Sequence, residues 1–306
     1  MSIKTVKAII NGSEYNLIFN SGTGRWEATI PAPVGSSFNQ EGGKYNVQLT
    51  AVNEADTSAT IDRTDATFGD ILALKVIEKQ PPVIVITSPG VGAYITTATP
   101  TVKFKMTDNT IGSGGDSGIN LESLVLKVDN ITVTNANIIH NVVSGGYECE
   151  YTPEALSEGK HTITIDVCDN DGNAATQGSV VFTVDTVPPT LNVTEPADGI
   201  ITNAAEITIV GKTNDDTSTH VSVNISLNGI SQGDVAVDAN GNFSKTIKLS
   251  VGNNEIVITS TDSAGKVSTV TRNVILDVSI PVFTTVSLTP NPADAGATLT
   301  LIVEVE

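Results

Sequence analysis

The sequence predicts an all-β protein built of tandem antiparallel β-sandwiches, and three observations predict it. Short runs rich in Val, Ile and Thr alternate apolar with polar residues, as in "GKHTITIDVCD" at 159–169. Turn signals recur about every ten residues. No segment carries a helical period. With 306 residues and 39% hydrophobic content the chain can bury cores, at a length that suits two or three domains.

Self-similarity sets the domain plan. The stretch "PPVIVITSPGVGAYIT" at 81–96 returns as "PPTLNVTEPADGIIT" at 188–202, and a variant, "IPVFTTVSLTPNPADAG", begins at Ile280. Each reads as a domain start: a proline pair stiffens the linker, an alternating strand follows, and a second proline ends that edge strand. The expected units are therefore a first sandwich over 1–80, sandwiches over 81–186 and 187–278, and a two-strand opening of a further unit over 279–306, strung as a rod.

A second repeat runs through the middle of each unit. "GKYNVQLTAVNEAD" (43–56), "GKHTITIDVCDNDG" (159–172) and "GNNEIVITSTDSAG" (252–265) share a glycine, a polar or aromatic residue two places on, and then strict alternation. The apolar faces are Val47 and Leu49, Ile163 and Ile165, and Ile256 and Ile258. Tyr45, His161 and Asn254 enter the strand where a sandwich places a side chain that bonds back to the connecting corner. Upstream of each copy lies an aromatic strand, carrying Trp26, Tyr147 or Phe243, so Trp26 is expected to pack in the first core.

The stretches "SGINLESLVLKVD", "DANGNFSKTIKLSVGNNEIVITSTDSAGK" and "EGKHTITIDVCDNDGN", with the proline-led strands, resemble bacterial immunoglobulin-like repeats. The order of a distinctive "AIINGSEYNLIFNSGTGRWEATI" unit, two repeats and a closing "LTPNPADAGATLTLIVEV" is similar to immunoglobulin-like tail proteins of phages and prophages of Firmicutes. That resemblance implies a non-enzymatic virion protein, made in the cytoplasm and assembled near a tail tip. Its partners would be tail and baseplate proteins, further copies of itself in a homo-oligomer, and host cell-wall carbohydrate. The same repeats serve in bacterial cell-surface adhesins and cell-wall spacers and in accessory regions of carbohydrate-active enzymes, so these settings stand as alternatives.

The acidic turn "CDNDGNA" at 168–174 is the one place where chemistry competes with architecture. Asp169 corresponds to Asn53 and Asp262, so an Asx residue opens each copy, and in the second and third a glycine follows three residues later. An Asx side chain caps its own turn and glycine takes positive φ cheaply, so a hairpin turn accounts for most of the stretch. An EF-hand fails, because aligning Gly172 puts Val167 at position 1 and Gly178 at position 12. A different calcium site is the alternative: the loop with Asp108 and Asp116 should lie at the same pole as Asp169 and Asp171, and four carboxylates there would suit a hard cation. No other cofactor is expected.

Several function classes drop out. Lys+Arg is 16 against Asp+Glu 34, a net charge of −18, which repels a phosphate backbone. No apolar run approaches a membrane span, and the N-terminus lacks the basic, apolar and small-residue succession of a signal peptide. The pairs Asp215/Asp216 and Glu148/Glu150 read as solvated charge. The three histidines lack Ser-His-Asp or Cys-His context, and no catalytic residues are expected. Cys149 and Cys168 are expected to be free thiols facing opposite sides of their strands. Finally, "SIPVFTTVSLTPNPADAGATLTLIVEVE" should form two strands, with Val286 and Leu288 on one and Leu299, Leu301, Val303 and Val305 on the other.

Overall fold

A computed structural model describes residues 2–108, 115–218 and 220–306. It is all-β: among the described residues the helical turns are two 3-10 segments, at Glu41–Gly43 and Asn135–Asn137. Contacts divide the chain into two compact units, Met1–Asp185 and Thr186–Glu306.

The first unit begins with a single sheet. Its strands are β1 (Ile3–Ile10), β2 (Ser13–Asn20), β3 (Arg25–Glu27), β4 (Tyr45–Asn53), β5 (Ser58–Ile61) and β6 (Ala73–Leu74). They run in the order β3-β2-β1-β4-β5, with β6 pairing β4. The two-layered sandwich expected over 1–80 is thus one layer. The reason is visible in the connections: the stretch after β3, "ATIPAPVGSSFNQ", holds two prolines, and "DRTDATFGD" after β5 folds into successive Asp-led turns. Neither supplies strands for a facing sheet. Trp26 accordingly sits half-buried on edge strand β3, its ring 5.6 Å from that of Phe19, and not in a closed core.

The rest of that unit is a sandwich. It comprises β7 (Val83–Ser88), β8 (Tyr94–Ile95), β9 (Val102–Thr107), β10 (Ile119–Val128), β11 (Ile131–Thr132), β12 (Ile139–Val143), β13 (Gly146–Tyr151), β14 (Gly159–Asp169) and β15 (Gly178–Val184). One sheet has the order β11-β10-β14-β15-β8 and the other β12-β13-β9-β7. Alternation does the work expected of it. Along β14, residues 161, 163, 165, 167 and 169 are all buried, and Ile163 and Ile165 meet Phe104, Met106, Leu126 and Phe182 in one core. Cys149 is buried in this core and Cys168 lies out of it, both as free thiols.

The second unit repeats the plan with β16 (Thr190–Glu195), β17 (Ile200–Thr202), β18 (Glu206–Asn214), β19 (Ser222–Leu227), β20 (Ile230–Val235), β21 (Asn242–Lys248), β22 (Gly252–Thr261) and β23 (Val267–Leu276). Its sheets are β16-β18-β21 and β17-β23-β22-β19-β20, closed over Ile209, Ile225, Phe243, Ile256 and Ile258. Gly211 faces Phe243 across β18 and β21, and a Cβ there would come within 2.4 Å of the ring. Only glycine lets the aromatic cross its neighbour. A hairpin follows, β24 (Phe283–Thr289) with β25 (Thr300–Val305), pairing Val286 with Val303 and Leu288 with Leu301. All of its residues are exposed.

Candidate functional site

The three Asx positions build one device three times. Asn53 N–H donates to the Thr57 carbonyl while its Oδ1 accepts from Ala55 and Thr57 N–H. Asp262 N–H donates to the Lys266 carbonyl, and its Oδ1 accepts from Ala264 and Lys266 N–H. Asp169 does the same with Asn173, at 2.8 Å from that residue's N–H to Oδ1, and its Oδ2 takes the Asn173 side-chain amide at 2.7 Å. The turn between strands is therefore closed by its own first side chain.

The corner residues are equally regular. Tyr45 Oη donates to the carbonyls of Gly35 and Ser36, His161 Nε2 lies 2.8 Å from the Ser157 carbonyl, and Asn254 Nδ2 donates to the Ser250 carbonyl at 2.7 Å. His161 Nδ1 is 2.7 Å from Asp129 Oδ2. A His–Asp pair thus exists, but a backbone carbonyl stands where a triad needs a nucleophilic hydroxyl. Burial works against the imidazolium, yet the bonds to Asp129 and Ser157 and the Asp129 charge outweigh it and raise the pKa. His140 packs edge-on to Tyr147, and His220 is exposed.

The acidic residues gather where the first sheet meets the following sandwich. Asp108 follows the end of β9, Asp169 ends β14, and both approach Glu78, which lies between β6 and the Pro81–Pro82 pair. One carboxylate oxygen from each of Glu78, Asp108 and Asp169 lies within 4.8 Å of the others, and all three residues are buried. Asp171 Oδ2 accepts the Glu78 N–H at 3.0 Å, and Asn173 Nδ2 donates to both the backbone carbonyl and Oε1 of Glu78 at 3.1 Å. Asp116 is buried beside them, its carbonyl accepting from Asn39 Nδ2 at 2.9 Å. Residues 109–114 of the same loop lie outside the described residues.

Electrostatics at this junction are unfavourable for three charges. Burial, a hydrogen bond with Asp169 and the charges of Asp169 and Asp108 push Glu78 up to about 7. Asp108 is also raised, first by burial and then by Asp116, Asp169 and Asp171, against the lowering bond from Gly118 N–H. Among the described residues no lysine or arginine pairs with Glu78, Asp108, Asp169 or Asp171.

Of the four candidate carboxylates, then, Asp108 and Asp169 approach each other in the tight group, while Asp116 and Asp171 stand around it. Glu78 is the member that sequence reasoning missed. Its signal was available: an acidic residue precedes each domain-start motif by three positions, as Glu78, Asp185 and Asp277. Elsewhere, Glu150 and Glu148 pair with Lys103 and Lys105 on the surface at 2.8 and 3.9 Å, and Asp215 Oδ1 caps Thr217 and Ser218 N–H. Cys149 is no nucleophile, since burial pushes its thiol up to about 11.

Comparison with known proteins follows the same division. Residues 96–186 match a family described as "Bacterial Ig-like domain", and residues 189–278 match "Glucodextranase, domain B". Over 124 residues, 40% of this chain, the sequence is 31% identical to Bacillopeptidase F of Bacillus subtilis (strain 168), and the match spans 8% of that protein's length. Among solved structures, the fibronectin(III)-like modules of Clostridium thermocellum CbhA are 15% identical with a TM-score of 0.38, covering 63% of this chain and 94% of theirs. The D00-D0 domain of intimin is also 15% identical, with a TM-score of 0.29 over 63% of this chain and 99% of its own. The two family matches thus fall on the two successive β-sandwiches, the first of them bacterial Ig-like. No helix among the described residues is long and apolar enough to cross a membrane.

Proposed function

We propose that this chain is a non-enzymatic structural protein, a spacer of Ig-like domains in a phage tail or tail-like particle. The observation that supports the non-catalytic reading is where its buried polar side chains go. His161, Asn254, Asn53 and Asp262 are engaged with their own corners and turns, and the one histidine bonded to an aspartate, His161, meets a backbone carbonyl at its other ring nitrogen among the described residues. The tail setting rests on the order of units, a distinctive first sheet followed by two repeats. Tail and baseplate proteins, other copies of the chain, and host-wall carbohydrate are the partners this reading expects; the acidic surface disfavours nucleic acid.

One observation favours a second setting, a bacterial surface: residues 96–186 match a bacterial Ig-like domain. Gold-labelled antibody to this chain, viewed by electron microscopy on induced cultures, separates the two. Label on tail particles supports the first setting and label confined to the envelope supports the second. Hydrolysis of wall polysaccharide by the purified chain, abolished by one Asp or Glu substitution, would overturn the non-catalytic reading.

A further inference from the structure

We propose that Glu78, Asp108 and Asp169 hold a calcium ion that ties the first sheet to the sandwich following it. Two independent features point to a ligand. The first is the geometry: three carboxylates from three separate segments offer oxygens within 4.8 Å of one another. Oxygens around one calcium at about 2.3–2.6 Å are spaced up to about 5 Å apart, so three oxygens this close can share one ion. The second is Asp108 itself. It is 3% exposed, its Oδ2 is occupied by Gly118 N–H at 2.6 Å, and its buried Oδ1 has no hydrogen-bond partner. A buried carboxylate oxygen without a partner is costly, and a hard cation is the ligand that would satisfy it.

The surroundings suit the same ion. Asp116 and Asp171 add negative charge around the three, and no basic side chain among the described residues pairs with Glu78, Asp108 or Asp169. Asn173 and Ser117 brace Glu78 Oε1 from the sandwich side, at 3.1 and 3.4 Å, so the Glu78 side chain is already held across the junction. Bound calcium would join a residue of the linker to the ends of β9 and β14, which belong to the two different sheets of the sandwich. Among the described residues, the cross-junction bonds it would reinforce include Ser36 N–H to the Gly115 carbonyl at 2.7 Å and Asn39 Nδ2 to the Asp116 carbonyl at 2.9 Å.

The test uses the full chain, stripped with a chelator and titrated with calcium chloride by calorimetry, up to ~10 mM, beyond the range of extracellular calcium modules. The expected result is saturable uptake, a rise in melting temperature, and slower proteolysis at residues 75–82. Asp108→Asn should weaken calcium binding at least tenfold or remove one ion from the stoichiometry, while Glu148→Gln, a surface carboxylate, should match the wild type. Asn at 108 removes repulsion, so the variant should fold; if it does not, Glu78→Gln carries the same expectation. No uptake by the wild type, or unchanged uptake in both variants, overturns the site. An equal response to magnesium chloride overturns the assignment to calcium.

Discussion

The first sheet and the sandwich that follows it are written in the same strand pattern and end as different objects. In the sandwich, two sheets close over Phe104, Leu126, Ile163, Ile165 and Phe182, none more than 2% exposed. In the first sheet the buried apolar side chains are Ala8, Ile10, Tyr45 and Leu72, while Ile18, Phe19, Phe38 and Ile71 face solvent. Alternation specifies a strand with one apolar face; whether a second layer arrives to cover that face depends on the connections. The sandwich is held by its interior. The sheet is held by strand pairing, by turns and by the polar junction at Glu78.

The largest expected effect tests that contrast directly. Phe182→Ala should cost about 3–5 kcal/mol, since a fully buried ring leaves a cavity, whereas Trp26→Ala should cost about 1 kcal/mol or less. Urea denaturation followed by circular dichroism measures both. Trp26, the chain's only tryptophan, lets fluorescence follow the first sheet separately in Phe182→Ala. If its transition moves as far as the sandwich's, the two melt as one body and the contrast is one of layers, not of stability.

A smaller effect concerns the junction. With chelator present, the raised pKa of Glu78 means that the folded state holds its proton more tightly than the unfolded chain. Stability contributed by that proton is complete below about 4.5 and is lost as pH rises to about 7. Glu78→Gln should therefore raise the melting temperature of metal-free protein by a few degrees at pH 8 and change little at pH 4. A variant that melts lower at pH 8 would show that the bonds of the charged side chain outweigh the repulsion around it.

Next come the repeated turns. Asp262→Ala deprives two backbone N–H groups of their acceptor and should cost about 1–2 kcal/mol. Asp262→Asn should recover most of it, because Asn53 closes the same turn with a neutral carbonyl oxygen. Thermal melts of the two variants side by side decide this. Equal losses would mean that the turn needs charge, and that Asn53 is tolerated only because the first sheet is less demanding.

Much of this architecture was legible in the residues because it is local. Strand alternation, the Asx turns at 53, 169 and 262, and the corner residues at 45, 161 and 254 each depend on neighbours within a few positions or on one strand's two faces. What failed was non-local. Trp26 aligns with Tyr147 and Phe243, yet its strand lies on an edge with no facing sheet, and no spacing within "GRWEA" reports that. Glu78 lies in what reads as linker, and its acidity matters only because the next sandwich brings Asp108 and Asp169 to it from 30 and 91 residues further along.

The smallest effect separates two corners that perform the same task. Asn254 closes its corner with an amide that does not titrate, whereas His161 closes the corresponding one with an imidazole bonded to Asp129 and the Ser157 carbonyl. Because the folded-state pKa of His161 is raised, its contribution is fully present below about 6.5, the unfolded value, and is lost as pH climbs through the folded value. Glu78 produces a loss of the same sign over an adjoining range, so the wild-type profile alone cannot assign it. The comparison should be made in Glu78→Gln with chelator present. There, His161→Asn should flatten the fall in melting temperature that remains as pH rises above about 6.5. Its hydrogen bond to the corner is retained by the Asn254 precedent. If the fall persists unchanged in His161→Asn, another group titrates in that range and the histidine corner is as indifferent to pH as the asparagine one.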